Sequence, residues 1–93
     1  MKLSIVVPIY NTELYLPACL QSLTAQTCPD MEILLIDDGS TDSSAQICRE
    51  FAGQDSRLRY IRQENKGLIG ARRTGAGHAA GEFPVFVDSD DWT

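Results

Sequence analysis

Asp88, Asp90 and Asp91 put three carboxylates within four residues, directly after the apolar run Phe83-Pro84-Val85-Phe86-Val87. Val and Phe favour a buried strand and Asp does not continue one, so the acids fall at a predicted strand tip. Charges of one sign repel there: at ~4 Å and an effective dielectric of ~20, a pair costs on the order of 4 kcal/mol. A cation or a raised pKa relieves such a cluster. Oxygen ligands with no His or Cys beside them suit Mg2+, Mn2+ or Ca2+. The chemistry expected at this tip is a divalent ion that in turn holds phosphate.

A second acidic group, Asp37-Asp38-Gly39-Ser40-Thr41-Asp42, ends another apolar run. Together Asp37, Asp38, Asp42, Asp88, Asp90 and Asp91 are six of the thirteen acids in a chain of net charge -5. The acidity is therefore local to predicted strand ends. With no basic tract, a nucleic-acid backbone is excluded as partner. Asp42 reads as a helix cap before it reads as a ligand, and Asp37 as a turn residue, leaving Asp38 to face a site. His78 has no acid at catalytic spacing, so no chemical role is expected of it.

The elements that must position these residues alternate along the 93 residues. Leu3 to Ile9 is a continuous apolar run that suits a strand covered on both faces, with Pro8 at its end where no ladder donor is needed. A helix is predicted from about Thr12 to Gln26 on the stripe Leu16, Leu20, Leu23, with Pro17 in its first turn. Glu32 to Ile36 is a second buried strand. The next helix, capped by Asp42 or Ser43, carries Ile47, Cys48, Phe51 and Ala52 on one face. Arg57 to Arg62 alternates as a weaker strand near an edge.

Asn65-Lys66-Gly67 forms a turn that opens a third helix, Leu68 to Ala80, closed by Gly81. Gly70, Gly75 and Gly77 are poor helix formers, and their density predicts a close backbone approach to the sheet or to a ligand. The fourth strand then ends at the acidic tip. Strand and helix in strict alternation predict an α/β fold, three layers α/β/α around a mostly parallel Rossmann-like sheet of order 3-2-1-4. That order brings Tyr10-Asn11, Asp37-Asp38 and Asp88 to Asp91 to one crevice at the switch point. No G-x-G-x-x-G follows the first strand and no G-x-x-x-x-G-K-[ST] occurs, so a metal bridge, rather than a glycine cradle, is the expected holder of phosphate.

Five short motifs in register carry a resemblance. Val6-Val7-Pro8-Ile9-Tyr10-Asn11, Asp37-Asp38-Gly39-Ser40-Thr41-Asp42, Asn65-Lys66-Gly67, Ala71-Arg72 and Asp88-Ser89-Asp90-Asp91 look like family 2 glycosyltransferases of the GT-A fold. The matches cover essentially the whole chain in family order. The resemblance implies a nucleotide-sugar donor, most often a UDP-sugar, and transfer with inversion to the hydroxyl of a saccharide or lipid-linked acceptor. It places Pro8 and Tyr10 against the nucleobase, Asp38 on the uracil or ribose, Arg72 towards the uridine or diphosphate, and Asp88 near the ribose. Asp90, shared with Asp91, would hold Mn2+ or Mg2+, which neutralises the departing diphosphate.

This chain has Arg73 where the family usually has Asn after Ala-Arg, and that guanidinium is expected in solvent. The resemblance makes residues 1–93 the N-terminal, nucleotide-sugar-binding half of the domain. The acid that deprotonates the acceptor belongs to the acceptor half, beyond residue 93, so no catalytic residue is assigned here. The alternative reading is a non-catalytic α/β binding or interaction module that keeps the fold without the reaction.

Cys19, Cys28 and Cys48 have no metal spacing and are expected to be reduced thiols. No run approaches the ~18 apolar residues of a membrane span, and the short start, cut by Pro8, is no signal peptide. The expected location is the cytoplasm, with peripheral attachment to the inner membrane face left open for the full-length protein. The flank beside the fourth strand is an unprotected edge, through which copies of the chain are expected to associate.

Overall fold

Strand and helix alternate in the computed structural model, which describes residues 3–27, 30–79 and 83–87, residue 83 by its backbone alone. The elements are β1 (Leu3–Ile9), α1 (Leu16–Thr24), β2 (Met31–Asp37), α2 (Ser44–Gln54), β3 (Leu58–Arg62), α3 (Gly67–His78) and β4 (Phe83–Phe86). All neighbouring strands run parallel, in the order β3-β2-β1-β4. The topology expected from the alternation is the one observed.

The two long apolar runs became the two central strands. In β2, Ile33, Leu34, Leu35 and Ile36 are all fully buried, as continuous hydrophobicity demands when helices cover both faces. Successive strand side chains point to opposite layers. Ile33 and Leu35 join Val7, Ile9, Leu16, Leu20 and Cys48 on the side of α1 and α2, whereas Leu34 and Ile36 meet Val6 and Ala71 on the side of α3. Each fully buried aliphatic side chain contributes about 1.5–3 kcal/mol, so these two layers carry the fold.

Helix α1 is shorter than the predicted Thr12–Gln26. Residues 12–15 form a turn instead, with the Thr12 carbonyl accepting from the Tyr15 and Leu16 amides. The turn is tethered to a neighbouring segment. The amides of Asn11, Thr12 and Glu13 bond across to Ser40 Oγ (3.0 Å), Ser44 Oγ (3.0 Å) and Asp42 Oδ2 (3.2 Å), in the loop after β2 and at the first residue of α2. Pro17 then opens the regular helix, as expected.

The clip is reciprocal. Asn11 Oδ1 accepts from the Thr41 amide at 2.8 Å, and Glu13 Oε2 accepts from the Ser43 amide at 3.0 Å. Each segment thus satisfies backbone donors of the other that lie outside regular structure. Asp42 does cap α2, through Oδ1 to the Ser44 amide at 2.9 Å. Burial acts to raise its carboxyl, but the bonds from Ser44 and from the Glu13 backbone bring it below the usual range. Asn11 pays for its place with a backbone φ of 50°, a region that Asn tolerates better than most residues.

At the other end of α1, Arg57 donates to the carbonyls of Thr24 (3.0 Å) and Gln26 (2.6 Å) while paired with Asp55 at 2.7 Å. A cation suits the negative end of a helix.

Of the three glycines expected to allow close approach, only Gly75 meets the sheet: a Cβ there would lie 2.2 Å from Val6 Cγ1. A Cβ on Gly70 would instead meet its own helix start, 2.5 Å from Lys66 Cβ, and Gly77 faces open space. The proposed closing residue Gly81 and the third cysteine, Cys28, lie outside the described residues. Cys19 and Cys48 are free thiols. Burial, with the charges of Asp37 and Cys19 behind it, pushes Cys48 up to about 12, so it is an inert core residue. No helix among the described residues is long and apolar enough to cross a membrane. The outer edge of β4 has no partner strand among the described residues, and Val85 and Phe86 are half-exposed there.

Candidate functional site

A cleft opens where β1 outruns β4. Strand β4 pairs with β1 only as far as Val6, whose carbonyl accepts from the Val87 amide at 2.9 Å. Pro8 lies inside β1, opposite Ile36, rather than at the strand's end. Bonds from β1 alternate in direction: the Val6 carbonyl serves β4, and the Ile9 carbonyl accepts from Asp38 of the β2 side at 2.8 Å. The missing Pro8 donor therefore falls on the β4 side, past the last pair. Proline is tolerated there because no ladder bond is lost.

The cleft holds about 240 Å3. Pro8 and Ile9 form its floor, with Tyr10 (40% exposed) on the flank. Leu68 and Ala71 of α3 make the facing wall, Asn65 and Gly67 the rim, and Asp38 the ionisable group. The arrangement is an apolar slot with a few fixed polar groups at the carboxyl ends of parallel strands, the place where such folds bind ligands.

Adjacent acids at the end of β2 have separate roles. Asp37 is fully buried and structural: Oδ1 accepts from the Ser40 amide at 2.8 Å, and Oδ2 from the Tyr60 hydroxyl at 2.5 Å and from Arg62 at 3.0 Å. Burial and then the bond to Asp37 push the Tyr60 phenol up, while Arg62 is raised by its contact with Tyr60 and the charge of Asp37. Asp37 closes the turn, as expected, and ties it to β3.

Asp38 faces the cleft, yet its carboxylate is already in use. Oδ1 accepts from Gln63 Nε2 and from the Lys66 amide, both at 2.8 Å, and Oδ2 from the Gly67 amide at 2.9 Å. From its own neighbouring side chains helix α3 draws a longer bond, from the Gly67 amide to Asn65 Oδ1 at 3.3 Å, and the shorter cap comes from elsewhere. A residue 28 positions away supplies it, placing a negative charge at the positive end of the helix. Gly67 reaches this bond with φ +79°, and at Gly39, also at +79°, an added Cβ would lie 3.2 Å from the Asn65 amide nitrogen.

Of the residues assigned from sequence, Pro8, Tyr10 and Asp38 come together in the cleft. Arg72 does not line it: the guanidinium stacks over the Phe86 ring at 5.8 Å, between α3 and β4. Arg73 is exposed, as expected. His78 is exposed and within 2.9 Å of the Thr74 carbonyl on its own helix. Asp88, Asp90 and Asp91 lie outside the described residues. Among the described residues, no cluster of three His, Cys, Asp or Glu side chains could hold a metal ion. Asn65, Gly67 and Leu68 were missed as wall residues because Asn65-Lys66-Gly67 reads locally as a simple turn. The signal was Gly67 itself, whose positive φ aims its amide at Asp38.

A profile for glycosyl transferase family 2 matches residues 4–93. Glycosyltransferase GlyA of Streptococcus pneumoniae is 50% identical over 91 residues, which are 98% of this chain and 13% of that protein. The crystal structure of S. aureus TarS 1-349 in complex with UDP-GlcNAc aligns with a TM-score of 0.88 at 37% identity, covering 97% of this chain and 27% of that one. Mannosyltransferase PcManGT from Pyrobaculum calidifontis, in complex with GDP-Man and Mn2+, aligns with a TM-score of 0.87 at 28% identity, covering 96% and 27%. The chain thus spans between 13% and 27% of the length of these three proteins.

Proposed function

We propose, from the premise that this chain belongs to glycosyl transferase family 2, that its cleft binds the nucleoside end of a nucleotide-sugar, as the donor-binding part of an enzyme that passes the sugar to an acceptor hydroxyl with inversion. The observation that carries the reading is the cleft: an apolar slot of about 240 Å3 with Asp38 fixed beside it. A nucleobase is flat and apolar on its faces and polar at its edge. Pro8 and Leu68 suit the faces, the Tyr10 ring can stack on one of them, and Asp38 suits an N–H at the edge.

UDP is the proposed nucleotide. The S. aureus neighbour was solved with UDP-GlcNAc and the Pyrobaculum one with GDP-Man and Mn2+, so this fold accommodates more than one base. Arg72 and Asp88 are proposed to serve the ribose and diphosphate. Strand β4 runs parallel to β1 and ends at the same side of the sheet as the cleft, and Asp88 to Asp91 follow it directly in sequence. All-oxygen ligands suit Mn2+ or Mg2+, and Asp90 and Asp91 are the proposed holders. Such an ion would supply positive charge to the departing diphosphate. These residues bind and orient the donor.

Calorimetric titration of UDP into the purified chain tests the reading. Binding is expected in Mn2+ and is expected to weaken at least tenfold in EDTA or in Asp90→Asn, the loss of about one charge-assisted contact. A demonstrably folded chain that binds no UDP would overturn the proposal.

A further inference from the structure

We infer that Gln63, which does not line the cleft, is a positioning residue that restricts Asp38 to one acceptor position and thereby favours a base with a single imide N–H over a base with two adjacent N–H donors. The inference rests on the donor-site reading and deepens it, from nucleotide to base.

A carboxylate offers about four acceptor positions. Asp38 Oδ1 has both of its positions filled, by Gln63 Nε2 and the Lys66 amide, and Oδ2 has one filled, by the Gly67 amide. One position on Oδ2 remains. Uracil presents one N–H, at N3, between two carbonyls. Guanine presents N1–H and the exocyclic amine side by side, a pair that a free carboxylate accepts with both oxygens. With Oδ1 filled, the second donor of guanine would be desolvated with no acceptor.

Gln63 is built for this one bond. Its backbone amide is fixed to the sheet by the Asp37 carbonyl at 3.0 Å. Its amide must turn Nε2 toward the Asp38 carboxylate, which sends Oε1 the other way. Oε1 is buried there with no hydrogen-bond partner among the described residues. A buried acceptor left unsatisfied is uncommon and asks for a reason. Holding the Asp38 carboxylate is that reason: the Lys66 and Gly67 amides anchor the helix start, and Gln63 fills the last position on Oδ1.

The test is the ratio of UDP to GDP affinity, measured by calorimetry in Mn2+ for the natural chain, Gln63→Met and Gln63→Lys. Met keeps the length without the donor, and because it also removes the orphaned Oε1 it is expected to leave the thermal midpoint nearly unchanged. Lys keeps a donor within reach of Oδ1. The natural chain is expected to prefer UDP. Gln63→Met is expected to lower that preference about tenfold, the worth of one unsatisfied donor, chiefly by strengthening GDP, and Gln63→Lys is expected to retain it. Should Gln63→Met fail to fold, Gln63→Asn, too short to reach Asp38, replaces it with the same expectation. A purely structural role would weaken UDP and GDP together and leave their ratio within twofold, and that result overturns the inference. UDP binding to the natural chain with no preference over GDP would also overturn it, while leaving the donor-site reading intact. If the natural chain binds neither nucleotide, the donor-site reading fails before any variant is compared.

Discussion

Asp38→Ala is expected to weaken UDP binding by roughly 10- to 100-fold, the range for losing a hydrogen bond to a charged group, and to lower stability by about 1–2 kcal/mol. The stability loss comes from α3. The Lys66 and Gly67 amides belong to the four donors that no helix satisfies internally, and both are spent on this carboxylate. Losing a cap costs about 0.5–2 kcal/mol, and water can reach these exposed residues, which keeps the loss below the figure for a buried orphan. The same bonds hold Asn65 and Gly67 at the rim of the cleft, so binding and stability should fall together. Asp38→Asn should be intermediate, since its amide accepts through one atom only. Urea denaturation and calorimetry on the three chains check both effects. An unchanged affinity for UDP in Asp38→Ala would remove Asp38 from the site.

Gly75→Val is expected to cost about 3 kcal/mol, the upper range for overpacking a core. The first added carbon would lie 2.2 Å from Val6 Cγ1, with Cγ2 at 3.1 Å and Cβ at 3.2 Å. Val6 is fully buried on central strand β1, so it has nowhere to retreat and α3 must lift. The gain in helix propensity over Gly, a few tenths of a kcal/mol, is too small to offset this. Because α3 also carries Leu68 and Ala71 of the cleft wall, UDP affinity should drop with stability. Gly77→Ala is the control: nothing lies within 4 Å of its added carbon, and it should gain up to about 1 kcal/mol. The urea midpoint at constant slope reads both variants. Equal effects at 75 and 77 would contradict the packing of α3 on β1.

These two positions show what the sequence could and could not reveal. The strand order was readable because hydrophobic runs as continuous as Leu3–Ile9 and Met31–Asp37 demand cover on both faces, and alternation with helices leaves few ways to provide it. Close approach by α3 was readable from its glycines, but which glycine makes it was not: that depends on rotation of the helix against Val6. The start of α1 was misplaced for a similar reason. Thr12 and Glu13 fit a helix by local pattern, but their amides bond to Ser44 and Asp42, about 30 residues away. Asp38 was legible as a site residue through the motif it sits in, whereas its second role as the cap of α3 was not. No pattern local to Asn65-Lys66-Gly67 announces a distant carboxylate.

A map of amide chemical-shift changes on titrating UDP into the isotopically labelled chain tests the cleft directly as the donor site. The largest shifts are expected to cluster on Tyr10, Asp38, Asn65, Gly67 and Leu68, with α2 and the outer strand β3 unaffected. Shifts confined to α1 and α2, on the opposite face of the sheet, would contradict it.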